Sequence, residues 1–320
     1  MLNKISVAMT TYNGEKFLKE QLYSTIKQSR QFYELVVCDD CSTDNTVKIL
    51  NEFKNTAPFP VRIVVNEKKL GCTKNFEKAI SLCDGDIIIL CDQDDVWLYN
   101  KVKIIENIFL TNPNCEMAFT DAMTIDEKNN PLGPLWPNFN FNNKRQNSLK
   151  KGDGLKLFIG SNVVTGATAA IKKSLFKKAF PFPEKLLHDH WMATIAVSNG
   201  NLFFSDAMTI NYRIHPAQQV GIGTLDIGFF QKINISYDSY DIFISLTQII
   251  LEEFNSRQIL TKKQERMFTN KMKFYIFRRN LTQNILIRIF GIIKNLFAGN
   301  YHKFASGFLS AIKDLIKKTL

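Results

Sequence analysis

Several residue types are scarce in this chain, and each scarcity excludes something. Histidine occurs four times in 320 residues and cysteine six times, at 38, 41, 72, 83, 91 and 115. Cys38 and Cys41 form a C-x-x-C pair with no second pair to complete a zinc site, so a cage of soft ligands is not expected. Several cysteines lie inside apolar runs, as small core residues do, and the expected compartment is the reducing cytosol. Nine prolines and fifteen glycines are too few for a collagen-like or linker-like chain. No run of about 18 apolar residues occurs, so no membrane-spanning helix is expected. The opening MLNKISVAMTTYN has an apolar stretch too short for a signal peptide. Acid is scarce in one region only. From Lys262 to Leu320 thirteen Lys and Arg meet Glu265 and Asp314 alone, while the rest of the chain carries 28 bases and 28 acids. The net charge of +11 therefore belongs to the C-terminal region, and it points to an anionic partner there.

What remains is an ordinary globular balance, 45% hydrophobic and 22% charged. The first 125 residues alternate between two periods. Short, nearly continuous apolar runs at Ile5–Met9, Leu35–Cys38, Val61–Val65, Asp86–Leu90 and Met117–Thr120 read as strands. Between them, helical spacing predicts helices over Glu15–Ser29, after Thr43 or Asp44, over Asn75–Leu82 and over Leu98–Leu110. This alternation predicts an α/β fold with a mostly parallel sheet covered on both faces. Asp126–Lys150, with three prolines, many Asn and the aromatics Trp136, Phe139 and Phe141, reads as a long surface loop. Structure is expected to resume at Gly154–Ile159 and Val163–Ile171, followed by a helix over Leu187–Ser198 and closing strands at Leu202–Phe204 and Met208–Tyr212. Beyond Gly223 the pattern is helical throughout. The expected division is a domain over 1–222, with halves 1–125 and 126–222, and a basic helical region over 223–320.

In an open parallel sheet the ligand site lies beyond the carboxyl ends of the strands. There the sequence stations Thr10-Thr11-Tyr12-Asn13-Gly14, Asp39-Asp40-Cys41-Ser42-Thr43-Asp44 and Asp92-Gln93-Asp94-Asp95. Five carboxylates, at 39, 40, 92, 94 and 95, thus converge on one edge, where bare they would repel one another. A hard divalent cation, Mg²⁺ or Mn²⁺, resolves that conflict, and such an ion usually completes its shell with substrate phosphates. The set therefore implies a nucleotide or diphosphate ligand. The plainer alternative, acids as turn formers and helix caps, accounts for Asp44 and stays open for Asp39.

Four segments in order resemble the inverting family 2 glycosyltransferases of GT-A fold: Val7–Asn13, Val36–Thr46, Gly71–Phe76 and Asp92–Trp97. The D-Q-D-D-x-W form, with a later His188-Asp189-His190-Trp191, is similar to the rhamnosyltransferase-like branch. Tyr99-Asn100 departs from the pattern, a proline being usual near that point. The resemblance covers about residues 4 to 220 and implies a GT-A sheet and a nucleotide-sugar donor. It implies that Thr11 and Asn13 border the nucleotide. Asp40 would accept a hydrogen bond from the pyrimidine N3–H, favouring dTDP- or UDP-sugars, and Lys74 would lie near the base or diphosphate. Asp92 and Asp94 would face the sugar and diphosphate, with Asp94 or Asp95 holding the metal. Inverting transfer needs a base for the acceptor hydroxyl, and by chain order that base is Asp189; a helix cap is the other role its position permits. On the acceptor side the resemblance brings Gly166, His188 and Trp191, with an ordinary strand turn for Gly166 and a core or cleft-wall place for Trp191 also open. In Tyr212-Arg213-Ile214-His215-Pro216 and the following Gln218-Gln219-Val220-Gly221, Arg213 would neutralise the diphosphate, and His215 would serve as a metal or phosphate ligand.

The basic tail interleaves Lys and Arg with bulky apolar residues at helical spacing, as in Phe274–Arg279, Ile285–Phe290 and Leu315–Lys318. Such helices lie on anionic membrane surfaces, or alternatively pack on the catalytic domain. No nucleic-acid module accompanies the charge. The expectation is a metal-dependent enzyme, peripheral at the inner face of the cell membrane. It would transfer a sugar, rhamnose from dTDP-rhamnose, to a glycan or lipid-linked acceptor in cell-surface polysaccharide synthesis. Two alternatives are a sugar nucleotidyltransferase, disfavoured because Thr10–Gly14 holds one glycine, and a non-catalytic membrane-surface module.

Overall fold

The computed structural model describes residues 4–159, 161–218, 239–305 and 307–316. The segment Gln219-Val220-Gly221 and the terminal Lys317 and Lys318 lie outside them. The chain divides into two units, Met1–Leu155 with Asn162–Asp226, and Lys156–Ser161 with Ile227–Leu320.

In the first unit β1 (Ile5–Thr11), β2 (Glu34–Asp39), β3 (Val61–Val65) and β4 (Ile87–Cys91) run parallel in the order β3-β2-β1-β4. Helices α1 (Leu18–Ile26), α2 (Thr46–Lys54) and α3 (Cys72–Ser81) connect them. Every residue of β2 and β4 is buried, because these strands are covered on both faces; β4 is apolar throughout, and β2 is apolar between the buried Glu34 and Asp39 at its ends. Val7 is paired with Leu35 on one side and Ile89 on the other. This register brings the carboxyl ends of β1, β2 and β4 to one edge.

Past β4 the sheet becomes mixed. β8 (Ala169–Lys172) lies antiparallel between β4 and β6 (Met117–Ile125). β9 (Leu202–Arg213) runs parallel to β6, and the two-residue β5 (Val96–Trp97) pairs antiparallel with β9. The expected closing strands are thus one strand, whose register shifts against β6 between Thr120 and Met123. Helix α1 is shorter than its apolar spacing predicted.

The segment read as a loop is ordered. It forms β7 (Pro131–Pro134), which pairs with β6, a 3₁₀ turn over Trp136–Phe139, and α5 (Asn143–Lys150). The reason is aromatic burial: Trp136 and Phe141 meet edge-on with ring centroids 4.9 Å apart, and both pack on Phe204. The indole Nε1 of Trp136 also donates to the Thr120 carbonyl. Composition hid this, since the aromatics are scattered among Asn and Pro rather than periodic. The remaining helices of the unit are α4 (Lys101–Thr111), α7 (Lys173–Ala179) and α8 (His188–Ser198), with α6 (Leu155–Phe158) at the unit boundary. In α8 every residue from His188 to Val197 is buried, as expected of a helix enclosed on all sides.

The second unit is helical over its described residues: α9 (Ser239–Ser256), α10 (Lys262–Arg279), α11 (Ile285–Phe297), α12 (Asn300–Phe304) and α13 (Phe308–Ile316). Thr261 and Gln264 form a reciprocal capping box at the start of α10, satisfying two N–H groups that would otherwise lack partners. Phe274, Ile292, Tyr301 and Ala311 make a small core. Beside it Arg278 holds Asp314 by two hydrogen bonds of 2.7 Å, and the Tyr301 hydroxyl donates to the same carboxylate at 2.8 Å. Removing one partner of a buried ion pair costs about 3–5 kcal/mol. Asp314→Ala should therefore strip amide-exchange protection from α13 while leaving that of β1, β2 and β4 intact, as read by hydrogen exchange.

Candidate active site

The acids at the sheet edge are satisfied in different ways. Asp39 is wholly buried. Its carboxylate accepts from the Thr11 hydroxyl at 2.8 Å, from the Ser42 amide at 2.8 Å and from the Ser42 hydroxyl at 2.5 Å, so it ties β1 to the turn after β2. Asp40 is also buried. It accepts from the Leu70 and Gly71 amides at 2.7 and 2.8 Å and from the Asn66 side chain at 2.9 Å. Gly71, the N-cap of α3, has φ 81°, a left-handed conformation that glycine adopts without strain, and this turn presents its amide to Asp40. Asn13, at φ 48°, accepts from the Thr43 amide through its side chain. Gln93 clamps the backbone of Tyr12 in both directions, accepting from its N–H at 2.8 Å and donating to its carbonyl at 3.0 Å. A Cβ at Gly14 would overlap the Gln93 side chain, so a glycine there permits the clamp.

A cleft of about 380 Å³ opens at this edge, lined by Thr11, Tyr12, Asn13, Asp40, Asp92, Gln93, Asp94, Thr165, Gly166, His188, Asp189 and Tyr212 among others. That volume falls in the range of about 300–1,000 Å³ typical of small-molecule sites. Two buried polar side chains on its wall, the Thr165 hydroxyl and the His188 imidazole, have no hydrogen-bond partner among the described residues. Buried polar groups are nearly always satisfied, so both are suited to a ligand. His188 stacks on Phe76 with ring centroids 4.0 Å apart. Burial pushes its pKa down to about 3, so it faces the cleft as a neutral ring.

Asp189 is one residue into α8, whose N-cap is Leu187. It accepts from the Gly166 amide at 2.9 Å, from the Asn162 side chain at 3.1 Å and from the His190 amide in the first turn of its own helix at 2.5 Å. Burial raises its carboxyl to about 6. Burial, and then the neighbouring Asp94 and Asp189, raise Asp92 to about 7.

The two acids between which the sequence left the metal open have separate surroundings. Asp94 lines the cleft, and its carboxylate is 2.9 Å from the Nε2 of His215. Asp95 is buried beneath it and accepts from the Arg213 amide at 3.0 Å. Burial, then Asp94 and Asp92, raise its pKa well above the carboxylate range. Lys101, fully buried on α4, donates to the Ala167 carbonyl and is lowered by burial to about 8. Sequence reasoning passed over Lys101, although it falls in phase with the apolar Ile105 and Ile108 and so should point inward.

Three expected contacts are placed elsewhere. The Arg213 side chain is 0% exposed and does not line the cleft. Its guanidinium pairs with Glu20 at 2.7 Å and donates to the Asp94 carbonyl and the Asn129 side chain, so it braces the acid-bearing loop from behind. Trp191 is buried inside α8 and donates to the Ala179 carbonyl at 2.9 Å, leaving no face for an acceptor sugar. Lys74 pairs with Glu77 one helical turn on, at 3.1 Å, and is also outside the lining.

The chain matches the family model of glycosyl transferase family 2 over residues 6–180. It belongs to that family. The family 2 chain is 32% identical over 230 residues to the dTDP-rhamnosyl transferase RfbG of Shigella flexneri, covering 67% of this chain and 73% of that one. It is 32% identical over 108 residues to the UDP-Glc:alpha-D-GlcNAc-diphosphoundecaprenol beta-1,3-glucosyltransferase WfgD of Escherichia coli, covering 34% and 42% of the two chains. In fold it is similar to S. aureus TarS (residues 1–349), solved in complex with UDP-GlcNAc, with a TM-score of 0.60 and 19% identity over 98% of this chain and 81% of that one. The protein is a glycosyltransferase with a GT-A sheet. Among the described residues no helix is long and apolar enough to cross a membrane.

A Cβ at Gly166 would lie 2.8 Å from the His188 Nε2 and 3.7 Å from the Asp189 carboxylate. Gly166→Ala should displace His188 from its stack on Phe76 and lower sugar transfer about tenfold or more. The melting temperature should change little, since the displaced imidazole lines the cleft and has no protein hydrogen bond to lose; steady-state kinetics and a thermal melt on one sample check both.

Proposed function

We propose that this family 2 glycosyltransferase is an inverting rhamnosyltransferase. Its donor is dTDP-rhamnose, its acceptor a glycan or lipid-linked glycan, and its setting cell-surface polysaccharide synthesis at the cytoplasmic face of the membrane. The likeness to RfbG supports the donor. The observation that carries the chemistry is the shared cleft: Asp40, Asp92, Asp94 and Asp189 line one cavity with the unpartnered Thr165 and His188.

Asp40 would accept the N3–H of thymine, its carboxylate already oriented by the Leu70 and Gly71 amides. Asp189, held by Gly166 and Asn162, takes the proton of the acceptor hydroxyl. The acceptor oxygen forms its bond to the anomeric carbon from the face opposite the diphosphate. The bond from that carbon to the diphosphate oxygen breaks, and the electron pair leaves with dTDP. The product has inverted configuration, and Asp189 then releases its proton to water. The neutral His188 and the Thr165 hydroxyl would bind sugar hydroxyls and so gain the partners they lack.

Asp94 and His215 would hold Mg²⁺ or Mn²⁺, a hard oxygen donor and an imidazole within contact of one another, with Asp92 nearby and the remaining positions left to diphosphate and water. Among the described residues no group of three or more His, Cys, Asp or Glu is gathered closely enough to hold a metal by itself. Such an ion supplies positive charge to the leaving diphosphate.

Asp189→Asn should lower kcat by about 10²–10⁴-fold with donor affinity unchanged, read by transfer assay and calorimetric titration of dTDP-rhamnose. Unchanged kcat would remove Asp189 as the base. A base must be ionised to act, and burial holds Asp189 near 6. Turnover should therefore be full above that pH and fall away as pH drops through about 6, and Asn at this position should abolish that limb. His215→Ala should raise the Mn²⁺ concentration for half-maximal rate about 10-fold or more, with the free protein's melting temperature little changed. UDP-glucose used in preference to dTDP-rhamnose would overturn the donor assignment.

A further inference from the structure

The second unit carries a site that the transfer chemistry does not use. Helices α11 and α13 turn their apolar sides outward. Leu286, Phe290 and Phe297 of α11 are 74%, 70% and 90% exposed, and Phe308, Leu309 and Ile316 of α13 are 65%, 68% and 72% exposed. On α13 the arrangement is inverted relative to a helix of a water-soluble bundle: its polar Ser310 and Asp314 are buried. Asp314 is fastened inward by Arg278 and Tyr301, so the apolar face is held outward by a specific ion pair. Soluble surfaces rarely expose so many large apolar side chains together.

Beside this face runs a groove of about 820 Å³ between α10, α11 and α12. Arg266, Lys273, Lys294 and Lys303 line it, with Phe274 and Phe277 among its apolar residues, and no acid contributes to it. Among the described residues none of these four bases meets a carboxylate. On α11, Lys294 follows Ile293 and lies one turn past Phe290, so charge borders the apolar arc directly. An apolar ridge edged by uncompensated cations matches a layer with an anionic surface and an apolar interior. A second copy of the same face would bring basic rims against basic rims. The described helices are too short to span a bilayer: α11 has 13 residues and α13 has 9, against the roughly 20 a span requires. They can lie in its interface.

We propose that α11 and α13 seat in the surface of an anionic lipid bilayer, with a lipid phosphate taken up by the groove lined by Arg266, Lys273, Lys294 and Lys303. This deepens the membrane-face setting of the reaction by naming the surface and its ligand class, and it holds whichever sugar is transferred.

The test is co-sedimentation of the full chain with vesicles of phosphatidylglycerol and phosphatidylcholine, against vesicles of phosphatidylcholine alone. Binding should need the anionic lipid and weaken in high salt, where charge attraction is screened. The triple variant Lys273→Gln, Lys294→Gln, Lys303→Gln should weaken anionic-vesicle binding about tenfold or more. Phe290→Ser with Phe297→Ser should weaken binding comparably. These side chains are exposed, so helicity by circular dichroism should be kept, and donor hydrolysis, which needs only the first unit's cleft, should stay at the parent rate. Equal binding to both vesicle types, or parent-like binding by either variant, would overturn the proposal. So would an oligomer in light scattering that the two Phe substitutions convert to monomer with vesicle binding retained, since the face would then belong to a second copy. Loss of vesicle binding with hydrolysis intact concerns this surface alone. Absent hydrolysis of dTDP-rhamnose by the parent with vesicle binding intact would count against the proposed donor and leave this inference standing.

Discussion

Six carboxylates crowded at one edge of a sheet are the constraint around which the first unit is built. Asp39, Asp40, Asp92, Asp94, Asp95 and Asp189 cannot all stay ionised side by side out of water without compensation. The protein compensates four with donors of its own. Asp39 takes hydroxyls and an amide, Asp40 takes two amides and an Asn side chain, Asp189 takes the Gly166 and His190 amides and an Asn side chain, and Asp95 takes the Arg213 amide with the buried Lys101 cation nearby. Asp92, Asp94 and Asp189 line the cleft, and burial raises Asp92 and Asp189 toward neutrality. A ligand carrying positive charge or hydrogen-bond donors is therefore favoured in that cleft before any particular substrate is named.

The sheet itself was largely legible because buried parallel strands are nearly continuous apolar runs, and VAM, LVVC and IIILC are such runs. The convergence of the acids followed from topology, since parallel strands end on the same side. Which acid would face the cleft was not legible. Asp94 and Asp95 are adjacent, and one residue along a turn exchanges a cleft position for a core position. Arg213 was misplaced for a related reason. Its type suggests phosphate binding, but it meets Glu20 across nearly the whole length of the domain, a pairing no local pattern carries. The order within 126–150 was hidden because its determinants, Trp136 and Phe141 against Phe204, are tertiary contacts rather than a period.

Strand β9 links these observations. Its register against β6 carries Arg213 to the level of Ile125, and two residues further on His215 reaches Asp94. Arg213 reaches the acid-bearing loop by backbone and side chain at once, through the Asp95 carboxylate and the Asp94 carbonyl. The loop bearing Asp94 is therefore braced from behind by a satisfied arginine and touched from the front by a histidine that can change partners. With the proposed cation, this division would let His215 exchange its contact with Asp94 without releasing the loop, because the brace does not depend on it. The same logic explains why a fully buried guanidinium is tolerated beside the cleft: it is paired with Glu20 and hydrogen-bonded to carbonyls, which offsets its desolvation.

The two units treat buried charge in opposite ways, and each is informative about function. In the first, acids are left partly uncompensated where a cavity can admit a ligand. In the second, the one described acid of α13, Asp314, is drawn inward and fully paired. Thirteen bases against two acids from Lys262 onward then leave the surface of that unit strongly positive. Hydrophobic burial alone would favour turning α13 over, since its outward side holds Phe308, Leu309, Ile312 and Ile316 beside Lys313 while its inward side holds Ser310, Ala311 and Asp314. The Arg278–Asp314–Tyr301 contact opposes that rotation. A fold that uses a buried ion pair to keep apolar side chains exposed bears a cost in water, and the cost is recovered only when something apolar covers them.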